Sequence, residues 1–96
     1  MKIALAGEAL IDFTGLGNMS FSGHCGGSPL NTAIACARLG QATGCITQLS
    51  NDMFGDQLWQ HMVSNGVDTR FVQRGKGSST IAFVERGPQT NRYAFY

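Results

Sequence analysis

In the first half of the chain, short continuous apolar runs predict strands, and apolar residues at helical spacing predict a helix between them. Residues 2–7 form a short apolar run that ends in glycine, as buried strands of parallel sheets do. Apolar residues then recur at helical spacing over residues 29–39, with Gly40 at the position that ends a helix, and residues 42–49 predict a second strand. A strand, a helix and a strand in this order form a βαβ unit, so the pattern predicts an α/β fold with parallel strands.

A second helix is predicted directly after this unit. Asn51 or Asp52 provides its N-cap, and Asn65-Gly66 provides its end. Residues 69–73 then predict a third short strand. Three parallel strands with two helices would leave one face of the sheet poorly covered, so we expect the chain to be the N-terminal piece of a larger protein.

The other stretches predict a smaller β structure. Residues 14–25 are rich in Gly, Ser and Asn, which favours a loop with one short exposed strand around residues 19–22. Residues 80–85 and 91–96 are rich in β-forming residues, and the five residues that join them suit a hairpin. Because both faces of this hairpin carry apolar side chains and two strands are not stable alone, we expect it to cover another part of the molecule.

Composition and charge exclude several classes of function. The chain has 96 residues, of which 43% are hydrophobic, and a formal net charge of +1, which suits one small domain and indicates no nucleic-acid partner. No apolar run approaches the roughly 18 residues of a membrane span, and the first residues lack a signal-peptide pattern. We therefore expect a cytoplasmic protein without a membrane partner. The three cysteines lack Cys-x-x-Cys spacing, so we interpret them as buried reduced thiols and expect no metal site.

The most informative local stretch is a glycine pair that leads into the first helix. Ser28 is the predicted N-cap and Pro29 the predicted first helical residue. Gly26 and Gly27 allow a ligand to approach the backbone closely, and Asn31 adds a side chain with both a donor and an acceptor. These residues predict a site for a small polar molecule, and a tight loop before a capped helix is the structural alternative.

A second candidate group follows the first strand. Asp12 lies just beyond the carboxyl end of that strand, where ligands bind in open α/β sheets. The structural alternative for Asp12 is an aspartate that caps a turn.

Several motifs in order resemble one protein family. Gly-Glu-x3-Asp follows the first strand, then come Gly-Gly-Ser-Pro-x-Asn-x-Ala, a helix that ends in Ala-Arg-Leu-Gly, and Asn-Asp-x-Phe-Gly-Asp. This order resembles the amino-terminal part of the PfkB (ribokinase-like) carbohydrate kinases over essentially all 96 residues, and residues 7–12 are most similar to the fructokinases. Ser50 departs from the family signature, which usually has glycine at this position.

The resemblance implies a partial ribokinase-like fold. We expect the N-terminal part of a mainly parallel, three-layer α/β/α sheet domain, together with a small β-sheet lid. It implies that residues 1–12 and 26–73 belong to the core of a single kinase domain. Residues 13–25 and 80–96 are the implied lid segments.

The resemblance also implies a sugar site. In such kinases the matching acid holds sugar hydroxyls, the matching glycines and asparagine contact the sugar, and the lid closes over it. The implied substrate-binding residues are Asp12, Gly26, Gly27, Asn31, Ala82 and Phe95.

The implied reaction is transfer of the γ-phosphoryl group of Mg-ATP to a sugar hydroxyl, and fructose is the sugar that we expect first. A kinase for 2-keto-3-deoxygluconate, ribose or a nucleoside is the alternative within the enzymes, and a non-catalytic sugar-binding relative is the alternative outside them. The family's catalytic base belongs to a Gly-x-Gly-Asp motif that this sequence does not contain. We therefore expect these 96 residues to contain no catalytic residue and no ATP or Mg2+ site, and to be inactive alone. Whether K+ is required and whether the lid forms a homodimer stay open at this point.

Overall fold

A computed structural model describes all 96 residues as two sheets and two helices. A parallel sheet has three strands in the order β1-β4-β5, and a mixed sheet has four strands in the order β3-β2-β6-β7. In the mixed sheet β2 and β6 are parallel, and the two outer pairs are antiparallel. The elements in chain order are β1 (Ile3–Ala6), β2 (Leu10–Gly17), β3 (Ser20–Gly26), α1 (Ser28–Arg38), β4 (Thr43–Ser50), α2 (Met53–Ser64), β5 (Val72–Gly75), β6 (Thr80–Glu85) and β7 (Arg92–Phe95).

The predicted parallel α/β unit is confirmed. The strands β1, β4 and β5 pair in parallel, with α1 and α2 between them in sequence. The third of these strands lies at Val72–Gly75 rather than at residues 69–73, because Asp68 to Phe71 turn before the strand begins. The predicted hairpin at the end of the chain is confirmed as β6 and β7.

The predicted loop over residues 14–25 is wrong. These residues belong to β2 and β3, which pair along almost their whole length. Asn18 and Met19 connect the strands with φ values of 54° and 62°, and two consecutive positive φ angles are typical of a type I′ hairpin turn. Because β2 also pairs with β6, backbone hydrogen bonds on both of its edges outweigh the low strand propensity of its glycines.

The predicted cap of α1 is also wrong. The N-cap is Gly27, the helix begins at Ser28, and no side chain accepts a hydrogen bond at this end. Gly27 has a φ of 105°, which L side chains rarely adopt, so the chain turns into the helix on the glycine and not on the serine. At the other end Gly40 follows the C-cap with a φ of 89°, as predicted. In α2 the predicted cap Asp52 is confirmed.

The hydrophobic core lies between the two helices and one face of the parallel sheet. Cys45 and Leu49, four residues apart on β4, point into this core, whereas Ile46 and Gln48 between them are exposed. One face of the sheet is therefore covered by helices and the opposite face is open. The buried residues of this core are Ala9, Ile11, Leu30, Ala33, Ile34, Cys45, Leu49, Leu58, Met62, Val67 and Val72.

The two sheets meet at the carboxyl ends of the parallel strands. The mixed sheet begins at Leu10, four residues after β1 ends, and β3 leads directly into α1. The division of the chain into a core of residues 1–12 and 26–73 and lid segments of residues 13–25 and 80–96 stays a prediction. Neither helix is long and apolar enough to cross a membrane.

Candidate functional site

One row across the mixed sheet brings together residues that lie far apart in sequence. Asp12 pairs with His24 on one side and with Ala82 on the other, and Ala82 pairs with Phe95. Residues that pair directly across strands point to the same face of a sheet, so these four side chains share one face. Three of the predicted site residues therefore lie in one row.

The carboxylate of Asp12 lies directly over Gly26. A Cβ atom at Gly26 would overlap Oδ2 of Asp12 and would lie 3.1 Å from its Cγ. Gly26 is also buried, and it pairs with Leu10 two positions before Asp12. Only glycine leaves room for the carboxylate in this orientation, so the first glycine of the pair positions Asp12.

The second glycine brings the start of α1 close to the connection between β1 and β2. A Cβ atom at Gly27 would lie 2.8 Å from the carbonyl oxygen of Glu8 and 3.5 Å from the Cα atom of Ala9. Gly27 has no side chain, and no other side chain accepts a hydrogen bond from the first-turn amides of α1. Such amides favour oxygen-rich or anionic groups.

Asn31 lies on the first turn of α1. Its backbone N–H donates a 2.9 Å hydrogen bond to the carbonyl oxygen of Gly27, which begins the helical hydrogen-bond ladder. Its side chain is exposed. The structure thus places the amide of Asn31 one helical turn from the glycine pair and in reach of solvent.

The two candidate contacts from the later strands differ in exposure. Ala82 is only 1% exposed, so it shapes the site through its small volume and offers little surface to a ligand. Phe95 is 65% exposed and stacks on Tyr93 with the ring centroids 6.0 Å apart. Of the two, Phe95 has the accessible apolar surface on the Asp12 face.

His24 lies in the same row as Asp12 and was not among the candidate residues indicated by the sequence. It pairs with Asp12, and its Nε2 atom lies 3.2 Å from Oγ of Ser22, the next residue on the same face. Because residues 14–25 were predicted to form a loop, no side of a strand could be assigned to His24. A strand with alternating sides through Gly26 would have placed His24 and Asp12 together.

The cysteines near this region are not activated nucleophiles. Burial raises the pKa of the Cys25 thiol and of the Cys45 thiol, which keeps both protonated at neutral pH. Cys25 also donates a long hydrogen bond of 3.6 Å to the carbonyl oxygen of Gln57. All three cysteines are free, but only Cys45 is buried, so the predicted burial is wrong for Cys25 and Cys36, which are partly exposed.

The donor and acceptor groups of the site suit the hydroxyl groups of a ligand. Asp12 is an acceptor for hydroxyl donors, and the first-turn amides of α1 are donors. No group of three or more His, Cys, Asp or Glu side chains is placed to hold a metal ion such as Mg2+. The polar loop at residues 74–79 lacks the Gly-x4-Gly-Lys-Ser/Thr order that wraps nucleotide phosphates.

The opposite face of the mixed sheet is apolar. Phe83 stacks on Phe13 at 5.5 Å and makes edge contacts with Phe21 at 5.3 Å and with Tyr96 at 5.9 Å. Met19 and Tyr96 at the border of this cluster are 86% and 78% exposed. The sheet thus has one face that carries Asp12 beside Ala82 and Phe95, and an opposite aromatic face that is partly open to solvent.

Comparisons with known proteins agree with these observations. A model described as "pfkB family carbohydrate kinase" matches residues 2–96. The fructokinase of Rhizobium leguminosarum bv. trifolii is 40% identical over 98 aligned positions, which cover 98% of this chain and 30% of that protein. The 5-dehydro-2-deoxygluconokinase of Geobacillus kaustophilus is 41% identical over 69 positions, which cover 70% of this chain and 21% of that protein.

Among solved structures, fructokinase from Xylella fastidiosa with bound ATP has a TM-score of 0.91 to this chain. The two sequences are 36% identical. The alignment covers 98% of this chain and 30% of the fructokinase chain. The predicted resemblance and the predicted partial α/β fold are thereby confirmed. The chain spans about 30% or less of the length of the curated relatives named above.

Proposed function

Because this chain belongs to the pfkB family of carbohydrate kinases, we propose that it provides part of the sugar site of a kinase that transfers the γ-phosphoryl group of ATP to a sugar hydroxyl. The observation that carries this proposal is the close packing of the Asp12 carboxylate over Gly26 beside the uncapped start of α1. A fixed acceptor beside free donors is what a polyhydroxyl ligand requires.

Each part of the site has a separate task in this proposal. Asp12 accepts hydrogen bonds from two sugar hydroxyls, and bonds to a carboxylate are stronger than bonds between neutral groups. The backbone at Gly26 and Gly27 and the amide of Asn31 bind further hydroxyls. Phe95 covers an apolar edge of the sugar, and the mixed sheet acts as the predicted lid that excludes water from it.

Phosphoryl transfer depends mainly on positioning and on electrostatic stabilisation, so a residue that only holds the sugar still contributes to the rate. In the proposed enzyme Asp12 holds the substrate and is not the catalytic base. ATP and Mg2+ bind outside these 96 residues, as does K+ if the enzyme requires it.

Fructose is the proposed sugar. This proposal is supported by the similarity of the chain to the fructokinases of Rhizobium leguminosarum bv. trifolii and Xylella fastidiosa, each of which covers 98% of it. A second candidate is a kinase for a sugar acid such as 2-keto-3-deoxygluconate. This alternative is supported by the relative from Geobacillus kaustophilus, a 5-dehydro-2-deoxygluconokinase.

The test is a panel of sugars assayed with the complete protein and Mg-ATP. The panel contains fructose, 2-keto-3-deoxygluconate, ribose and a nucleoside, and Asp12→Ala is the control variant. We expect fructose to give the highest kcat/KM and Asp12→Ala to lower it. Sugar binding without turnover would support the non-catalytic alternative. Absence of both would refute the proposed function.

Two further properties stay predictions for the complete protein. The aromatic face around Phe83 and Tyr96 supports a homodimer formed through the lid, which sedimentation of the complete protein would test. A cytoplasmic location is the second.

A further inference from the structure

The start of β6 is joined to the end of β4 by a buried pair of serines. Oγ of Ser79, the residue before β6, lies 2.5 Å from Oγ of Ser50, the last residue of β4. Ser50 is 4% exposed and Ser79 is 9% exposed. A hydrogen bond between two buried hydroxyls therefore links the parallel sheet to the mixed sheet.

The direction of this hydrogen bond follows from the partners of Ser50. Its hydroxyl also lies 2.5 Å from Oδ1 of Asp52, and Oδ1 accepts bonds from the amides of Phe54 and Gly55. These bonds, that from Ser50 first, lower the pKa of Asp52, so its carboxylate is ionised and can only accept. Ser50 has a single proton and donates it to Asp52, and Ser79 therefore donates to Ser50.

Ser50 itself is held in place from the opposite side. Nε of Arg74 donates a 2.8 Å hydrogen bond to the carbonyl oxygen of Ser50, and the same guanidinium forms a 2.6 Å ion pair with Asp56. A Cβ atom at Gly55 would overlap that carbonyl oxygen, so α2 packs directly on it. The acceptor of the Ser79 hydroxyl is thus part of a rigid junction of β4, β5 and α2.

A second bond fixes the next residue. Oγ1 of Thr80 donates a 3.0 Å hydrogen bond to Oε2 of Glu8, in the connection between β1 and β2. The carbonyl oxygen of the same Glu8 faces Gly27 at the start of α1. The exposed residues 76–78 before this point make no side-chain hydrogen bond in the structure. Beside its pairing with β2, the start of β6 is thus joined by these two bonds to the end of β4 and to the connection between β1 and β2.

We propose that Ser50 and Ser79 are positioning residues for sugar binding, because their hydrogen bond joins the start of β6, and with it the row of Ala82 and Asp12, to the parallel sheet on which α1 packs. This inference rests on the proposed sugar-kinase function. Neither serine touches the sugar in this proposal. Both act through the placement of the mixed sheet.

The experiment is a double-mutant cycle in the complete protein with Ser50→Ala, Ser79→Ala and both together. We expect each single variant to raise the KM for the sugar about 3- to 10-fold, the range that loss of one hydrogen bond gives. The double variant should raise it no further than Ser50→Ala alone, because that change already removes the bond to Ser79 together with the bond to Asp52. The KM for ATP and kcat should stay within about twofold.

Matched variants separate positioning from general destabilisation. Ser78→Ala removes an exposed neighbouring hydroxyl and should leave the sugar KM unchanged, and Ser79→Thr keeps a donor and should restore it. If an alanine variant fails to fold, Ser79→Cys, of similar size with a weak donor, replaces it. Single variants with an unchanged sugar KM, or a double variant whose effect is the product of the single effects, would overturn the inference.

A readout that does not depend on activity distinguishes this inference from the proposed function. Amide hydrogen exchange over residues 80–83 should be faster in Ser50→Ala and Ser79→Ala than in the wild type, and unchanged in Ser78→Ala. If the wild-type protein phosphorylates no sugar, the proposed function fails, and this exchange experiment still decides whether the serine pair positions β6. Unchanged exchange in both variants would refute the positioning role in either case.

Discussion

Replacement of Gly26 by alanine is the sharpest test of how the site is built. The new methyl group would overlap Oδ2 of Asp12 and would lie 3.1 Å from Cγ of Asp12 and 3.5 Å from Cδ1 of Leu10. The atom that must move is the end of a side chain and not backbone. The carboxylate can therefore rotate away while the strand pairing of Gly26 is retained.

The magnitudes predict a large effect on binding and a small effect on stability. Forcing Asp12 off its rotamer costs about 0.5–1.5 kcal/mol, and alanine in place of glycine stabilises a compatible backbone by about 0.4–1 kcal/mol. These terms nearly cancel, so the free energy of unfolding should change by less than about 1 kcal/mol. A displacement of about 1 Å at a positioning group, however, lowers activity about 100-fold.

The assay compares sugar affinity and stability in the complete protein. Isothermal titration gives the dissociation constant for fructose, and urea unfolding gives the free energy of unfolding. We expect Gly26→Ala to weaken sugar binding about 10- to 100-fold, as much as Asp12→Ala does. Adding Gly26→Ala to Asp12→Ala should have little further effect, because the group that it displaces is already absent.

Gly23→Ala is the matched control on the same strand. Its Cβ atom would lie 2.9 Å from Cε1 of Phe13 on the opposite face of the sheet, so it disturbs packing without touching Asp12. Its sugar affinity should stay within about threefold of the wild type. Normal sugar affinity in Gly26→Ala, or equal losses from Gly26→Ala with and without the Asp12 carboxylate, would refute the reasoning.

Four further predictions test the site and its surroundings. In the complete protein Asp12→Ala and Asn31→Ala should each weaken sugar binding by about 1–3 kcal/mol, and unchanged affinity in both would refute the site assignment. Residues 1–96 alone should show no ATP-dependent phosphorylation of fructose in a coupled assay, and measurable turnover would contradict this. Gly55→Ala, whose methyl would overlap a backbone oxygen, should lower the free energy of unfolding by about 3 kcal/mol, whereas Gly77→Ala, with no atom within 4 Å of its methyl, should change it by less than about 0.5 kcal/mol. Hydrogen bonds, that from the Ser50 hydroxyl first, lower the pKa of Asp52 from its ordinary value of 3.8. The ionised Asp52 carboxylate therefore stabilises the fold above about pH 4, and this stabilisation is lost as the pH falls through the lowered pKa. In urea titrations, the difference in the free energy of unfolding between wild type and Asp52→Asn should shrink between pH 6 and pH 3.

The parallel sheet and its helices could be predicted from periodicity because their hydrophobic faces are local patterns. The apolar spacing in α1 and the glycine after it are both within one short stretch, and both predictions are confirmed. The strands β2 and β3 could not be predicted in this way. Their glycines and serines favour loops, and the strands form because β2 pairs on both edges, once with β6 from a distant part of the sequence.

The candidate site was predictable to a similar extent. Asp12 and Gly26 were both expected in it, and the structure brings the carboxylate of one over the backbone of the other. His24 was missed because its side is defined only once residues 20–26 are a strand. The bond between Ser50 and Ser79 could not be predicted, since no local pattern relates the end of one strand to the residue before another.

The parallel pairing of β2 with β6 also determines when the site can form during folding. Asp12 and Ala82 are neighbours in the sheet but about 70 residues apart in sequence, and contacts of such separation form late because a long loop must close first. The hairpin of β2 and β3 and the packing of α1 on β1 and β4 need only nearby residues. A ribosome must therefore have released residues up to β6 before Asp12 acquires its neighbour Ala82. Affinity for a sugar would accordingly report completed assembly of this part of the chain, and not merely the presence of its helices.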